Sequence, residues 1–459
     1  MTSVRLNEPA RFPSVGLGLV IRLYELLWHL FLPWLVLNFW RRGAREPMYR
    51  QFWGERFGRV QCQLSHAIWV HCASMGEMRG AAPWIKQLLS EGFAVYLTTL
   101  TPAGRHSAVS LFKDAMQKGR MQLSYAPLEL SWAVRSFLKR VRPRCAVMTE
   151  IDTWPVLLAT IRRAGIPLAF ANAQYPAQSF ERDRRWGAFR ARLFKAYELV
   201  MCKSALQARR FDAVGCTRVE VVGETRFDLP VSEEHRRAAG QLRASAGVVH
   251  RPAVCFASAI EGEDDLLIEA MRRMQSLLAQ SGQPMPFFVY VPRSPQRFDA
   301  VARLIEAAGL RMIRRSQQFD AALHSHQKMD WQVVDVLLGD SIGEMYFYLE
   351  LSQLVVVGSS FGTRAVHNII EPLAINKPVW TGPSIRGIEY PAMEAMEAGV
   401  LHHARDAEDL AQQLAAVFTT PGVYEELVDK TRHFNTNHAG SVTRHQAVFL
   451  PWLQQRRAA

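Results

Sequence analysis

The chain has 459 residues, 49% of them hydrophobic. That is too long for one ordinary core and too apolar for wholesale disorder, so two or three globular domains are expected. With 55 Lys and Arg against 42 Asp and Glu, the net charge of +13 favours an anionic partner: nucleic acid, an anionic membrane surface or a phosphorylated substrate. Nucleic acid is the weakest of these, because there is no zinc-finger spacing, no basic-region heptad and no strand pair with interleaved aromatics. The six cysteines are scattered without a CxxC, which argues against a zinc knuckle or a disulfide framework and fits a reducing cytosolic setting.

The first segment, VGLGLVIRLYELLWHLFLPWLVLNFW, is apolar and aromatic up to Trp40; Arg41, Arg42, Arg45, Arg50, Arg56 and Arg59 follow it. Arg22, Glu25, His29, Pro33 and Asn38 interrupt the run, so it makes a poor lipid-exposed span of the ~20 residues a bilayer needs. It lacks the short n-region and small-residue cleavage site of a secretory signal. Residues 1–45 are therefore expected to form a membrane anchor or an interfacial helix, with the rest of the chain on the cytoplasmic, Arg-rich side. The alternative is a buried helix docked on the first domain.

From residue 67 short β-rich runs alternate with amphipathic stretches: AIWVHC (67–72), FAVYLTT (93–99), LSYAP (123–127), CAVMTE (145–150), PLAFANA (167–173), LVMCK (199–203) and VEVVG (219–223). Such alternation implies βαβ units and a parallel sheet, here a first domain over 46–235. A polar stretch follows, with a linker expected at 236–250. The pattern restarts with AVCFAS (253–258), FFVYVP (287–292), VVDVLL (333–338), LVVVGSS (354–360) and PVWTGP (378–383), giving a second domain over 251–430. Residues 431–459 look helical and are expected to cap the second domain or cross back to the first. The fold class is α/β, two Rossmann-like domains facing a cleft, with ligands at the carboxyl ends of the strands.

Several chemistries are absent. No GxGxxG follows a strand, no GxxxxGK[ST] loop occurs, and GxSxG, HExxH and aspartate-rich metal loops are missing, so no cofactor or metal is expected. The pairs His324/His326 and His402/His403 lie in polar surroundings and read as surface histidines rather than ligands. Two Rossmann-like domains with none of these fingerprints point to a nucleotide-linked sugar.

Polar residues collect where the strands end. In the first half these are Ser74, Gly76 and Glu77 in CASMGE, Thr101 in TTLTPAGR, Glu150 and Asp152 in TEIDTWP, and Asn172 in ANAQYP. Glu77, three residues after Ser74 where a helix begins, suits either a capping carboxylate or a base facing the cleft. The second half offers Ser258 in ASAIEGEDD, Arg293 in VPRSPQRF, Gly343 and Glu344 in GDSIGEM, and His367, Asn368 and Glu371 in HNIIEPLAINKPV. A glycine beside helix N–H groups, an arginine and a ribose-facing glutamate form the elements of a nucleotide phosphate site.

With YRQFWGERFGR, VVGETRFD and the apolar start, these motifs run in an order and spacing that resemble the 3-deoxy-D-manno-octulosonic acid (Kdo) transferases. These are membrane-associated GT-B glycosyltransferases that add Kdo to the lipid A precursor, and the resemblance covers nearly the whole chain. It implies CMP-Kdo as donor, inversion without a dedicated metal, and residence at the cytoplasmic face of the inner membrane. It makes Glu77 the general base. Arg293 and the amides near Gly343 and Glu344 would then hold the phosphate, and Glu371, with Ser258, His367 and Asn368 nearby, the ribose side. Departures cluster on the acceptor side: EIDTWP replaces ETELWP, and NAQYP replaces NARxS, leaving Gln174 and Pro176 where Arg and Ser are usual. A paralogue with another acceptor or a related CMP-ulosonic acid, or a non-catalytic nucleotide- or lipid-binding homologue, stays open.

Overall fold

The structure is a computed structural model that describes residues 12–151, 153–185, 189–245, 247–326, 328–362 and 364–456. The chain divides into two compact units, residues 1–229 with 440–459, and residues 230–439.

The first unit is built on seven parallel strands: β1 (Ile68–His71), β2 (Val95–Thr99), β3 (Met121–Tyr125), β4 (Cys145–Thr149), β5 (Leu168–Ala173), β6 (Leu199–Cys202) and β7 (Val219–Val221). Their order is β3-β2-β1-β4-β5-β6-β7. The second unit repeats the plan with β8 (Ala253–Ala259), β9 (Phe287–Pro292), β10 (Met312–Arg314), β11 (Val336–Leu338), β12 (Leu354–Val357), β13 (Val379–Thr381) and β14 (Leu401–His403), ordered β10-β11-β9-β8-β12-β13-β14. The inner strands β1, β4, β5, β8 and β9 are buried along their whole length, which is why they read as unbroken apolar runs. In each sheet the winding reverses beside the first strand, between β1 and β4 and between β8 and β12. Those switch points open crevices at the carboxyl ends of the strands.

Strands β10 and β14 were not expected from sequence. Each has three residues on a sheet edge and carries charged or imidazole side chains that mask the apolar pattern. The His402 ring stacks on Trp380 with centroids 4.6 Å apart, and His403 Nδ1 lies 2.8 Å from Thr381 Oγ1. That pair therefore belongs to the packing of β14, while His324 and His326 are exposed as expected.

The helix Glu233–Arg243 occupies much of the 236–250 segment, buries Ala238, Ala239 and Leu242, and packs on the helix Met345–Leu351 of the second unit. Within residues 431–459 the chain changes units. The helix Val423–His438 belongs to the second, whereas Ser441–Gln455 returns to the first. Asp228 receives the returning chain through the Gly440 and Val442 N–H groups, both at 2.6 Å. Phe449, Trp452 and Leu453 then complete the core over one sheet face.

The helices that shape the first unit's strand ends are α1 (Val15–Arg42), α2 (Trp53–Arg56), α3 (Met75–Ser90), α4 (Pro102–Gln117), α5 (Ser131–Val141) and α6 (Pro155–Arg163). Helix α1 docks through Leu17, Ile21, Tyr24, Trp28, Leu32 and Leu35, one stripe at three- and four-residue spacing. Its outer face is also apolar: Leu19, Leu23, Leu26, Leu30, Phe31 and Trp34 are 57–69% exposed. The polar interruptions have structural work. Glu25 Oε1 accepts from the Ser131 N–H at 2.6 Å and so caps α5. Arg56 departs from the basic cluster expected after Trp40, being only 1% exposed. Its guanidinium lies over the Tyr125 and Phe39 rings at 3.9 and 4.7 Å.

Candidate active site

The first unit's switch point is formed by the turn after β1 and the end of β4. Ser74 is the N-cap of α3, its hydroxyl accepting from the Glu77 N–H at 3.3 Å. Glu77 reaches back: Oε2 accepts from the Ala73 N–H at 2.7 Å and from Thr149 Oγ1 at 3.4 Å, and Oε1 from Ser74 Oγ at 3.3 Å. The Ser-x-x-Glu spacing thus forms a capping box, with the carboxylate on the N–H one residue ahead of the cap. Capping and proton transfer do not exclude each other here, because the carboxyl is only partly covered. Gly76 is exposed, and a Cβ built on it would meet nothing closer than Ser74 Oγ at 3.9 Å, so the turn is open on that side.

Burial and the neighbouring Glu150 charge push the Glu77 carboxyl up to about 7, against the pull of the Ala73, Ser74 and Thr149 donors. A base poised there can take a proton near neutral pH. Glu150 directly follows β4, at φ +59, and is 8% exposed. That left-handed backbone turns its side chain toward Arg226, which pairs with Oε1 while also donating to the Gly76 carbonyl at 3.1 Å. Arg226 further meets Glu224 at 3.4 Å, and Lys203 Nζ meets Glu224 Oε2 at 2.5 Å. Burial would raise the Glu224 carboxyl, but Lys203 and Arg226 together hold it below its ordinary value. Burial would likewise lower Arg226, but Glu224 and Glu150 keep it firmly protonated. Space for the guanidinium exists because residue 80 is glycine, where a Cβ would come within 2.9 Å of Arg226 Nε.

Two other first-unit candidates have different duties. Thr101 is the N-cap of α4, accepting from the Gly104 N–H at 3.1 Å. Asn172 is 2% exposed and commits its amide to Thr225, donating to Oγ1 at 2.7 Å and accepting from the N–H at 3.2 Å. It holds the Arg226 segment rather than facing an open site. Asp152 lies outside the described residues. Sequence reasoning missed Arg226, Glu224 and Lys203, although VVGETRFD and VMCK carry the charges. What hides them is chain separation, since Arg226 reaches Glu150 across 76 positions.

In the second unit the loop after β12 is pinned from below. Glu263 Oε2 accepts from the Ser359 N–H at 2.6 Å and Oε1 from the Phe361 N–H at 2.9 Å. Ser258, 5% exposed at φ +62, is the next-to-last residue of β8 and lies against Gly358, where a Cβ would come 2.8 Å from the Ser258 carbonyl oxygen. Arg293 is exposed, and its side chain makes no ion pair among the described residues. Burial and the charge of Arg293 push the imidazole of His367 down to about 4, so His367 is neutral at pH 7 beside a full positive charge. Gly343 is exposed at φ +91. Glu344, by contrast, is bound by Arg315 and Ser341, and the Asn368 Oδ1 accepts from the Ile370 N–H at 2.9 Å. Glu371 lies near Tyr346, whose phenol burial and the Glu371 charge raise. Among the described residues no three His, Cys, Asp or Glu side chains gather to hold a metal ion.

A 3-deoxy-D-manno-octulosonic acid transferase from Bordetella pertussis is 33% identical over 427 residues, covering 92% of this chain and 96% of that protein. The chain belongs to this family. The family model described as 3-deoxy-D-manno-octulosonic-acid transferase (kdotransferase) matches residues 51–229, the span that holds Glu77, Glu150 and Arg226. The Haemophilus influenzae member is 27% identical over 423 residues, 90% of this chain and 94% of that protein. Among solved structures, a glycosyltransferase from Rickettsia africae has a similar fold, with a TM-score of 0.55 at 13% identity over 85% of this chain and 98% of that one. The protein is a Kdo-transferase-family glycosyltransferase with the GT-B fold, two parallel α/β domains preceded by an apolar helix.

Proposed function

We propose that the chain transfers Kdo from CMP-Kdo to a lipid A precursor with inversion, using Glu77 as general base. The observation that carries this is the Glu77 carboxyl at the β1/β4 switch point, kept by burial and by Glu150 near neutral proton affinity. The acceptor hydroxyl oxygen attacks the anomeric carbon of Kdo while Glu77 takes the hydroxyl proton. The bond from that carbon to the CMP phosphate oxygen breaks, and CMP leaves with the electron pair. In the second unit Arg293 and the Gly343 turn receive the phosphate, with Ser258, His367, Asn368 and Glu371 around the nucleoside. Ser74 and Gly76 shape the acceptor side, and Arg226 holds Glu150 in place.

The exposed apolar face of α1 supports residence on the inner membrane at its cytoplasmic surface. Helix α1 is docked on the first unit along most of its length, which favours lying in the headgroup region over crossing it. A different acceptor is favoured by one feature: Gln174, where the family has arginine, donates to Glu150 at 3.4 Å and accepts from Lys203 at 3.3 Å.

The test is CMP release by the purified chain given CMP-Kdo and tetraacylated lipid A precursor, with mass spectrometry of the lipid. Release with a mass gain of Kdo is expected, and Glu77→Gln should lose about 10²–10⁴-fold in rate while still binding CMP. No release with this lipid, or a Glu77→Gln variant at full rate, overturns the proposal.

A further inference from the structure

Beneath α1 the first unit forms a partly open pocket of about 220 Å³, walled by Trp28, Leu35 and Phe39 from the helix and by Leu100, Trp154 and Leu157 from the body of the unit. It exceeds the ~150 Å³ at which a purely apolar protein cavity stays dry and takes up a small apolar molecule. One wall is not apolar. Arg56 borders the cavity at 1% exposure, and its Nε and Nη2 have no hydrogen-bond partner. Its remaining nitrogen donates weakly to the Leu100 carbonyl at 3.4 Å, and aromatic rings cover its faces. Glu129, also on the wall, makes no ion pair with it among the described residues; its two oxygens accept from the Val156 and Leu157 N–H groups at 2.8 Å. A buried guanidinium with two unspent donors costs free energy until an oxygen acceptor arrives. The chamber therefore calls for a ligand with an apolar body and an oxygen-bearing end.

The same chamber adjoins the base. His71 lines it, and the His71 carbonyl accepts from Thr149 Oγ1 at 2.9 Å, the hydroxyl that lies 3.4 Å from Glu77 Oε2. Leu100, also on the wall, donates its N–H to the carbonyl of Ala73, whose own N–H holds Glu77. Helix α1, the outer wall, presents an exposed apolar face from which a chain could enter. We infer that this cavity seats one acyl chain of the acceptor lipid, with a carbonyl or phosphate oxygen of that lipid on the Nε and Nη2 edge of Arg56. The inference rests on the proposed function in taking the occupant to be the acceptor.

Dodecyl phosphate, titrated into the full chain and followed by calorimetry, is the probe, with dodecanol and inorganic phosphate as separate arms. Dodecyl phosphate should bind at one equivalent, dodecanol at least about tenfold more weakly, and phosphate alone not measurably. Leu35→Trp and Leu100→Trp, which fill the cavity from the helix and from the body of the unit, should each weaken dodecyl phosphate at least about tenfold. Both should leave CMP binding and the melting transition in place. Arg56→Met should bring dodecyl phosphate to the level of dodecanol. Unchanged affinity in both filled variants, or phosphate binding as tightly as dodecyl phosphate, overturns the seat. With an active transferase, the filled variants should raise KM for the acylated acceptor at constant kcat. An unchanged KM despite lost dodecyl phosphate binding would overturn the acceptor assignment. Cavity-dependent binding without CMP release from any lipid would sink the transferase proposal and leave the acyl seat standing.

Discussion

The two units carry the same sheet plan but use the ends of their strands differently. In the first, the charges at the switch point are buried and spent on one another: Glu150 and Glu224 share Arg226, and Lys203 backs Glu224. In the second, the carboxylates Glu263 and Glu344 are committed to local backbone and to Arg315, which leaves Arg293 exposed. A packed network of charges sets the proton affinity of one neighbour, and that suits chemistry. An uncommitted arginine beside a neutral histidine keeps its charge for a ligand, and that suits binding.

The comparison breaks if the first unit's network is only decorative. Arg226→Met should cost the most, because it leaves two buried carboxylates, Glu150 and Glu224, to share Lys203. About 3–5 kcal/mol of stability should go, visible as a fall of roughly ten degrees in the melting temperature. If the melt does not move, the network carries no weight. Arg293→Ala should do the reverse, leaving the melt unchanged and weakening CMP roughly ten- to a hundredfold by calorimetry.

The raised Glu77 carboxyl makes two smaller effects. If Glu77 is the base proposed above, the rate with CMP-Kdo should fall as pH drops through about 7, and Glu150→Gln should move that midpoint lower by removing a like charge. Stability runs the other way. The folded chain holds this proton more tightly than the unfolded chain, whose value is near 4.5, so the contribution is full below 4.5 and is lost as pH rises to about 7. Denaturant titrations at pH 5 and 7.5 on wild type and Glu77→Gln would show it. Least of all, Thr101→Ala should cost about 1 kcal/mol as a lost helix cap.

How far the sequence could be read follows from what each residue's neighbours are. Inner strands such as Trp69–Val70 and Val254–Phe256 are apolar on both faces, so their runs announce themselves. The edge strand Leu401–His403 does not, because its histidines earn their place only by stacking on Trp380 and bonding Thr381. Glu77 was legible because Ser74 stands three residues before it, a local signal. Arg226 was not, because its partners arrive from β4 and the turn after β1 only once the sheet is wound. Arg56 misled for a related reason. A charge after an aromatic helix reads as surface, yet here Phe39 and Tyr125 enclose it.

The return of the Ser441–Gln455 helix to the first unit also bears on biosynthesis. Met1 to Leu229 leave the ribosome without Phe449 and Trp452, and the sheet face those rings cover stays bare until the whole of the intervening unit has been translated, on the order of ten to forty seconds at ~5–20 residues per second. The later-made unit is continuous in sequence and can close first. The first unit waits on the returning helix, so ribosome stalling or a stop codon within the intervening unit would cripple the part that was made earlier.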